Sequence, residues 1–278
     1  MSRVFGRRSL LGVAIISAVE VWIGAQTPAT VPAPPLTKEQ MRTFLETAKV
    51  TKSRSTGKGV TRPFRLTLTD GTTTHDALFQ SVEERRAMKQ FDRGRNEVNF
   101  VDSYHYNIAA YDLAEMLGLE AMMPMSVARR WNGRNGSLTW WIDDVMMDEG
   151  ERLKKGVRPP DPDSWNKQFY RMRIFSQLVY DTDRNLTNVL ITKDWHVWMI
   201  DFTRAFRLWP DLPSPTDLTR GDRQLLERLK QLDLPTLEAK LGQHLTGAEV
   251  AAIITRRDKI LNRFTQLAAE RGEANVLY

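Results

Sequence analysis

The sequence predicts an α+β chain: a small antiparallel sheet first, a mainly helical part after it. Three observations carry this. Alternating apolar residues broken by hairpin turns fill much of 49–142. From about residue 163 the apolar positions recur at helical spacing. Between most of the strands and the last helices, residues 180–206 read as a polar loop, two short apolar strands and an acid closing the second.

The first part opens with Thr37 and Gln40 at capping-box spacing, which starts a helix running to about Ala48 with Met41, Phe44 and Leu45 on its apolar face. Three strands follow, over Val50–Ser55, Phe64–Thr69 and His75–Val82. The turn at 56–63 holds Gly57, Lys58 and Gly59, and Asp70-Gly71 makes the second turn. The charged stretch Glu83–Asn96 is expected to be irregular or a mobile helix. A helix over Tyr104–Leu117, with Ile108, Tyr111, Leu113 and Leu117 facing inward, ends at Gly118. Ser126–Trp131 and Ser137–Ile142 then pair around an Asn-Gly turn at 132–136. Residues 143–162 are polar and contain prolines, as a crossover between two lobes would.

In the second part Asp163 is placed to cap a helix over Ser164–Tyr180, whose Trp165, Phe169, Met172, Phe175 and Leu178 repeat at helical spacing. After Phe206 the chain turns through Trp209-Pro210 and Pro213–Pro215. Helices follow over 222–232, 235–241 and, from a capping box at Thr246 and Glu249, to about Ala269. Arg256, Arg257, Lys259 and Arg263 on that last helix read as a solvated face, because no aromatic residues interleave them, so no nucleic-acid partner is expected.

Composition narrows the chemistry. The net charge of +6 over 278 residues favours anionic partners, nucleotide phosphates among them. With no cysteine there is no disulfide, zinc-thiolate site or cysteine nucleophile. His75, His105, His196 and His244 lack metal-ligand spacing. Residues 1–25 have the pattern of an export signal: Arg3, Arg7 and Arg8, an apolar run over Leu10–Val19, then Gly24 and Ala25. That run is short of the roughly 20 residues a stable membrane span takes, and an N-terminal anchor is the alternative. Residues 26–35 are a Pro-, Ala- and Thr-rich spacer, so 26–48 reads as a linker and short helix.

The candidate chemistry lies in the central stretch. Asn188 stands five residues after Asp183, and Asp201 thirteen after Asn188. Phosphoryl transfer needs a carboxylate to orient the attacking hydroxyl and accept its proton, and oxygen ligands for a hard cation that bridges nucleotide phosphates. Asp183 suits the first role, and Asn188 and Asp201 the second. D-T-D-R-N-L-T-N-V-L-I followed by W-M-I-D-F resembles the atypical kinases: the phosphatidylinositol 3- and 4-kinases and the secretory-pathway kinases related to the Golgi casein kinase. Two departures stand out: Thr182 precedes Asp183 where H-R-D would place Arg, and Thr203 follows Asp-Phe where many kinases have Gly. The resemblance implies a two-lobed protein kinase-like fold, with a small antiparallel-sheet N-lobe over 49–142 and a mainly helical C-lobe over 143–278. It implies ATP with Mg or Mn, and a hydroxyl acceptor on a protein, lipid or sugar. The hinge residues Trp140, Trp141 and Ile142 then either line an adenine pocket or pack the core. Arg184 and Arg204 are structural or phosphate-side contacts.

The same resemblance exposes a gap. The strand lysine that contacts nucleotide phosphates appears here as Gln80, and its helix Glu partner as Asn107. Both charges are lost together, and a neutral hydrogen-bonded pair is the expected replacement. Either another cation serves the phosphates, Lys58 first and then Arg65 or Lys89, or the chain is an exported pseudokinase that binds without catalysing. A polyanion-binding protein is a third reading, motivated by charge.

Overall fold

The chain is described by a computed structural model over residues 1, 36–57, 63–91 and 96–278. The expected export segment beyond Met1, the spacer and Lys58 lie outside the described residues.

Helix α1 (Lys38–Thr47) starts at the Thr37–Gln40 capping box, with both reciprocal hydrogen bonds formed. It packs Phe44 and Leu45 against a five-stranded antiparallel sheet of order β1-β2-β3-β7-β6. These strands are β1 (Lys49–Ser55), β2 (Phe64–Thr69), β3 (Thr74–Gln80), β6 (Ser126–Trp131) and β7 (Arg134–Trp140). The turn between β6 and β7 is tighter than expected. Asn132 (φ 48°) and Gly133 (φ 75°) alone make it, because both accept the left-handed backbone of a two-residue hairpin.

The charged stretch after β3 corrects the sequence expectation. It is strand β4 (Glu83–Gln90), paired antiparallel with β5 (Asn96–Ser103) in a separate ribbon. Charge misled the reading: on a two-stranded ribbon with an exposed face, ionic side chains fit strand geometry. Lys89 bonds Glu84 at 2.9 Å and lies 4.0 Å above the Phe100 ring. Helix α2 (His105–Leu117) follows, with ten of its residues buried, and ends at Gly118 in a left-handed cap (φ 70°). It lies between the five-stranded sheet and the helical part, so both sides of it are core.

The crossover also carries more structure than its prolines implied. It contains β8 (Val145–Asp148) and α3 (Glu149–Lys155). Asp161, not Asp163, caps α4 (Pro162–Leu178), accepting from the backbone N–H groups of Asp163 and Ser164. Pro162 occupies the first helical turn, where its missing N–H costs nothing. Strands β9 (Val189–Thr192) and β10 (Val197–Met199) form the central hairpin, and β8 joins β9 as a third strand. Helices α5 (Arg223–Gln231), α6 (Leu234–Leu241), α7 (Gly247–Arg271) and α8 (Glu273–Val276) complete the fold.

Arg256 on α7 is a second correction. It is fully buried, not solvated. Its Nε donates to the Leu178 carbonyl at 2.7 Å, and its Nη1 to the carbonyls of Arg207 and Trp209 at 2.8 and 2.7 Å. Burial lowers its pKa to about 10, so it stays charged at neutral pH. Across the interface of α2 with the α6–α7 connection, His105 Nδ1 meets His244 Nδ1 at 3.0 Å. Among the described residues, no helix is long and apolar enough to cross a membrane.

Candidate active site

The site is built where α4 ends and the β9–β10 hairpin begins. Asp181 has a completely buried side chain, which accepts from the Asp183 backbone N–H at 3.0 Å and from Arg184 Nε at 2.8 Å. Arg184 is the hub of this loop. Its Nη1 donates to the carbonyls of Asn188 (2.8 Å) and Ile200 (2.7 Å), and its guanidinium lies 4.2 Å from the Phe202 ring centre. One fixed, five-donor fork therefore ties the loop carrying Asp183 and Asn188 to the strand end carrying Asp201. The backbone adds its own tie, from the Ile200 N–H to the Asn188 carbonyl at 3.1 Å.

Asn188 is buried, and its Nδ2 donates to the Asp183 carbonyl at 2.9 Å. That bond orients the amide and leaves Oδ1 with no protein donor among the described residues. Asp183 is half-buried. Its carboxylate has one long contact, from Asn185 Nδ2 at 3.4 Å. It lines a cavity of about 550 Å³ together with Phe169, Arg173, Asn185, Ser214 and Asp217.

Asp201 sits in the left-handed region at φ 56°, a conformation Asp tolerates better than most residues and one that recurs at functional sites. The twist sends Phe202 into the core, where its ring meets Phe175 edge-on at 5.5 Å. Thr203 donates to Asp201 Oδ1 through Oγ1 at 3.1 Å. Burial pushes the Asp201 carboxyl up, opposed by the Thr203 bonds, by Arg184 and by a hydrogen bond from Gln80.

On the sheet side, Gln80 and Asn107 meet. Asn107 Nδ2 donates to Gln80 Oε1 at 2.8 Å, and Asn107 Oδ1 accepts from the Phe202 backbone N–H at 2.8 Å. One buried amide thus joins β3, α2 and the Asp-Phe-Thr segment with no charge in the contact. The other named cations are engaged elsewhere. Arg65 is ion-paired to Asp76 at 2.5 Å and stacked 4.0 Å from the Trp141 ring centre. Lys89 holds Glu84 on the ribbon. Arg204 and Arg207 both pair with Glu97.

Asp102, at the end of β5, was not singled out by the sequence. It is buried, and burial followed by the nearby Asp201 charge raises its carboxyl against the opposing pull of Thr203, Arg204 and Lys89. Its one sequence signal was position, three residues ahead of α2 and beyond the stretch 83–96 expected to be irregular or a mobile helix.

The hinge aromatics divide. Trp140 stacks on His75 (3.7 Å) and packs edge-on to Phe44, while Trp141 takes the Arg65 stack. Trp140, Trp141 and Ile142 do line a cavity of about 960 Å³, but its other walls are Met123, Met125, His196 and Trp198. None of Gln80, Asn107, Asp183, Asn188 or Asp201 borders it. That cavity shares no residue with the acid cluster.

The donor set fits a hard divalent cation. Asp201 and Asn188 offer only oxygen, without nitrogen or sulfur ligands. Among the described residues no three His, Cys, Asp or Glu side chains form a cage of their own. An ion that completes its shell with phosphate oxygens and water needs only one or two protein carboxylates.

No protein-family model matches the sequence, and no curated protein does. Solved structures do. Hydra Fam20, solved with sugar, aligns with a TM-score of 0.65 at 15% identity, over 86% of this chain and 91% of that one. The Helicobacter pylori proinflammatory kinase CtkA aligns with a TM-score of 0.53 at 8% identity, over 82% of this chain and 96% of that one. At these identities the likeness shows the fold, and with the sheet, the intervening helix and the loop–hairpin frame described above, that fold is kinase-like.

Proposed function

We propose that this chain is an atypical kinase, using ATP with Mg²⁺ or Mn²⁺ to phosphorylate a hydroxyl. The observation that carries the reading is the Arg184 fork, which holds the Asp183–Asn188 loop and Asp201 as one unit. Asp183 orients the acceptor hydroxyl and takes its proton, and the cavity it lines is the acceptor's approach. Asn188 and Asp201 hold the divalent ion through oxygen. That ion would supply positive charge against the nucleotide phosphates. Gln80 and Asn107 border the phosphate position and position Phe202 and Asp201 rather than supplying charge. Lys58, which falls between β1 and β2 in sequence, is the cation assigned to the phosphates. The acceptor belongs to a protein, lipid or sugar, the last in keeping with the sugar in the hydra Fam20 structure. The chain is exported by its first 25 residues.

A second reading is favoured by one observation, the neutral Gln80–Asn107 contact. It makes the chain a kinase-fold binding module without catalysis. Thermal unfolding separates the two. Ligand at 100 times its Kd adds about 2.7 kcal/mol, a shift of roughly 5–10 °C for a domain of this size. The kinase reading requires such a shift with ATP and Mg²⁺ or Mn²⁺, its loss in Asp201→Ala, and transfer of labelled phosphate that Asp183→Asn abolishes. A well-folded protein with no nucleotide shift would sink it.

A further inference from the structure

Arg184 is the cation beside Asp201, and its charge is already paired with the buried Asp181. Gln80, Asn107 and Asn188 are neutral, so they bring amides and no further cation. Asp102 adds a second carboxylate. It is 9% exposed, and its Oδ1 has no hydrogen-bond partner among the described residues. A buried carboxylate oxygen left without a donor costs folding free energy unless something else completes it.

The backbone fixes where that oxygen stands. The Ser103 N–H donates to the Thr203 carbonyl at 2.8 Å, which lays the end of β5 directly on the Asp-Phe-Thr segment. The next residue is held too, by the Tyr104 N–H on the Val82 carbonyl at 2.8 Å. Thr203 Oγ1 bonds Asp201 Oδ1 at 3.1 Å. Thr203 therefore holds Asp201 through its hydroxyl and the end of β5, which carries Asp102, through its carbonyl. The nearest cations are committed: Lys89 to Glu84, and Arg204 through Nη2 to Glu97.

We propose that Asp102 is a further oxygen ligand of the divalent cation held by Asp201 and Asn188, an inference that rests on the metal-dependent reading above. Two carboxylates and one amide oxygen match a doubly charged hard ion in charge and in donor type. The arrangement also explains how the site dispenses with a lysine–glutamate pair. The negative charge sits on a strand before α2, and the ion itself supplies the positive charge beside the phosphates.

The test uses the full chain and Mn²⁺ alone, followed by the free-ion paramagnetic resonance signal and by titration calorimetry. Wild type should bind Mn²⁺ without nucleotide. Asp102→Asn, of the same shape, should weaken binding at least about tenfold, as should Asp201→Asn. If Asp102→Asn does not fold, Asp102→Ser replaces it. Asp102 could instead serve only Arg204, whose Nε is also without a partner. In that case Asp102→Asn lowers the melting temperature, adding Arg204→Gln restores it, and Mn²⁺ affinity stays within twofold of wild type. That outcome overturns the proposal but leaves Asp201 as a ligand. A wild-type chain that binds no Mn²⁺, with or without ATP, removes the whole metal site and the proposed function with it.

Discussion

Two contacts face each other across the candidate site, and they are built on opposite principles. The loop 181–188 is held by charge: a buried aspartate, Asp181, against a guanidinium, Arg184, that reaches two backbone carbonyls. The β3–α2 contact is held without charge, by the Gln80–Asn107 amide pair and its bond to the Phe202 N–H. A buried ion pair is costly to break from one side only, because the surviving charge is stranded. An amide pair tolerates loss of one partner better, since only neutral groups are left unsatisfied. The loop that carries Asp183 and Asn188 is thus fixed by charge, whereas the β3–α2 side is fixed by neutral groups alone.

The comparison is broken most sharply at Arg184. Arg184→Met should destabilise the fold by at least about 3–5 kcal/mol in urea denaturation, since Asp181 is then buried and unpaired. A loss under about 1 kcal/mol would mean the fork is not what joins loop and strand. Next is Asn107→Glu, which sets a third carboxylate among Asp102 and Asp201 with no cation opposite. It should cost about 3 kcal/mol at neutral pH, and Gln80→Lys in the same chain should recover a coupling energy of about 1–3 kcal/mol. Effects of the two that add to within about 0.5 kcal/mol would show that β3 and α2 do not communicate through this pair.

The smallest effect lies at the first residue of α2, where His105 meets His244. Burial, and then the His105 charge, hold the His244 pKa down to about 4 from its ordinary 6.5. A depressed pKa means the folded chain keeps His244 neutral. Its contribution is present above pH 6.5 and is lost as pH falls toward 4. Glu83 and Arg85 also face His105 and pull its own titration in opposite directions. The melting temperature of wild type minus that of His244→Gln, followed from pH 7 to pH 4, should fall through this window. A flat difference would show that the histidine contact is neutral to stability.

Much of this was legible in the sequence because local chemistry and tertiary role agree there. The Thr37 and Thr246 capping boxes, the Gly118 cap and the β9–β10 hairpin each follow from residues a few positions apart. The Gln80–Asn107 contact could be anticipated because two charges vanish together. What was hidden depends on partners far away in sequence. The charged residues 83–90 form a strand because residues 96–103 pair with them. Asp102 matters at the site because Ser103 docks on Thr203, a hundred residues later. Arg256 looked like one of several surface cations; only the carbonyls of Leu178, Arg207 and Trp209 make it a core residue.

Arg256 also sets an order in time. The carbonyls it satisfies bracket the segment from the end of α4 to Trp209, yet α7 leaves the ribosome nearly fifty residues after that segment. Until it emerges, the nascent chain has no guanidinium to offer those three oxygens. The segment between α4 and Trp209, with the loop that carries Asp183 and Asn188, therefore reaches its finished form only after Arg256 has been made.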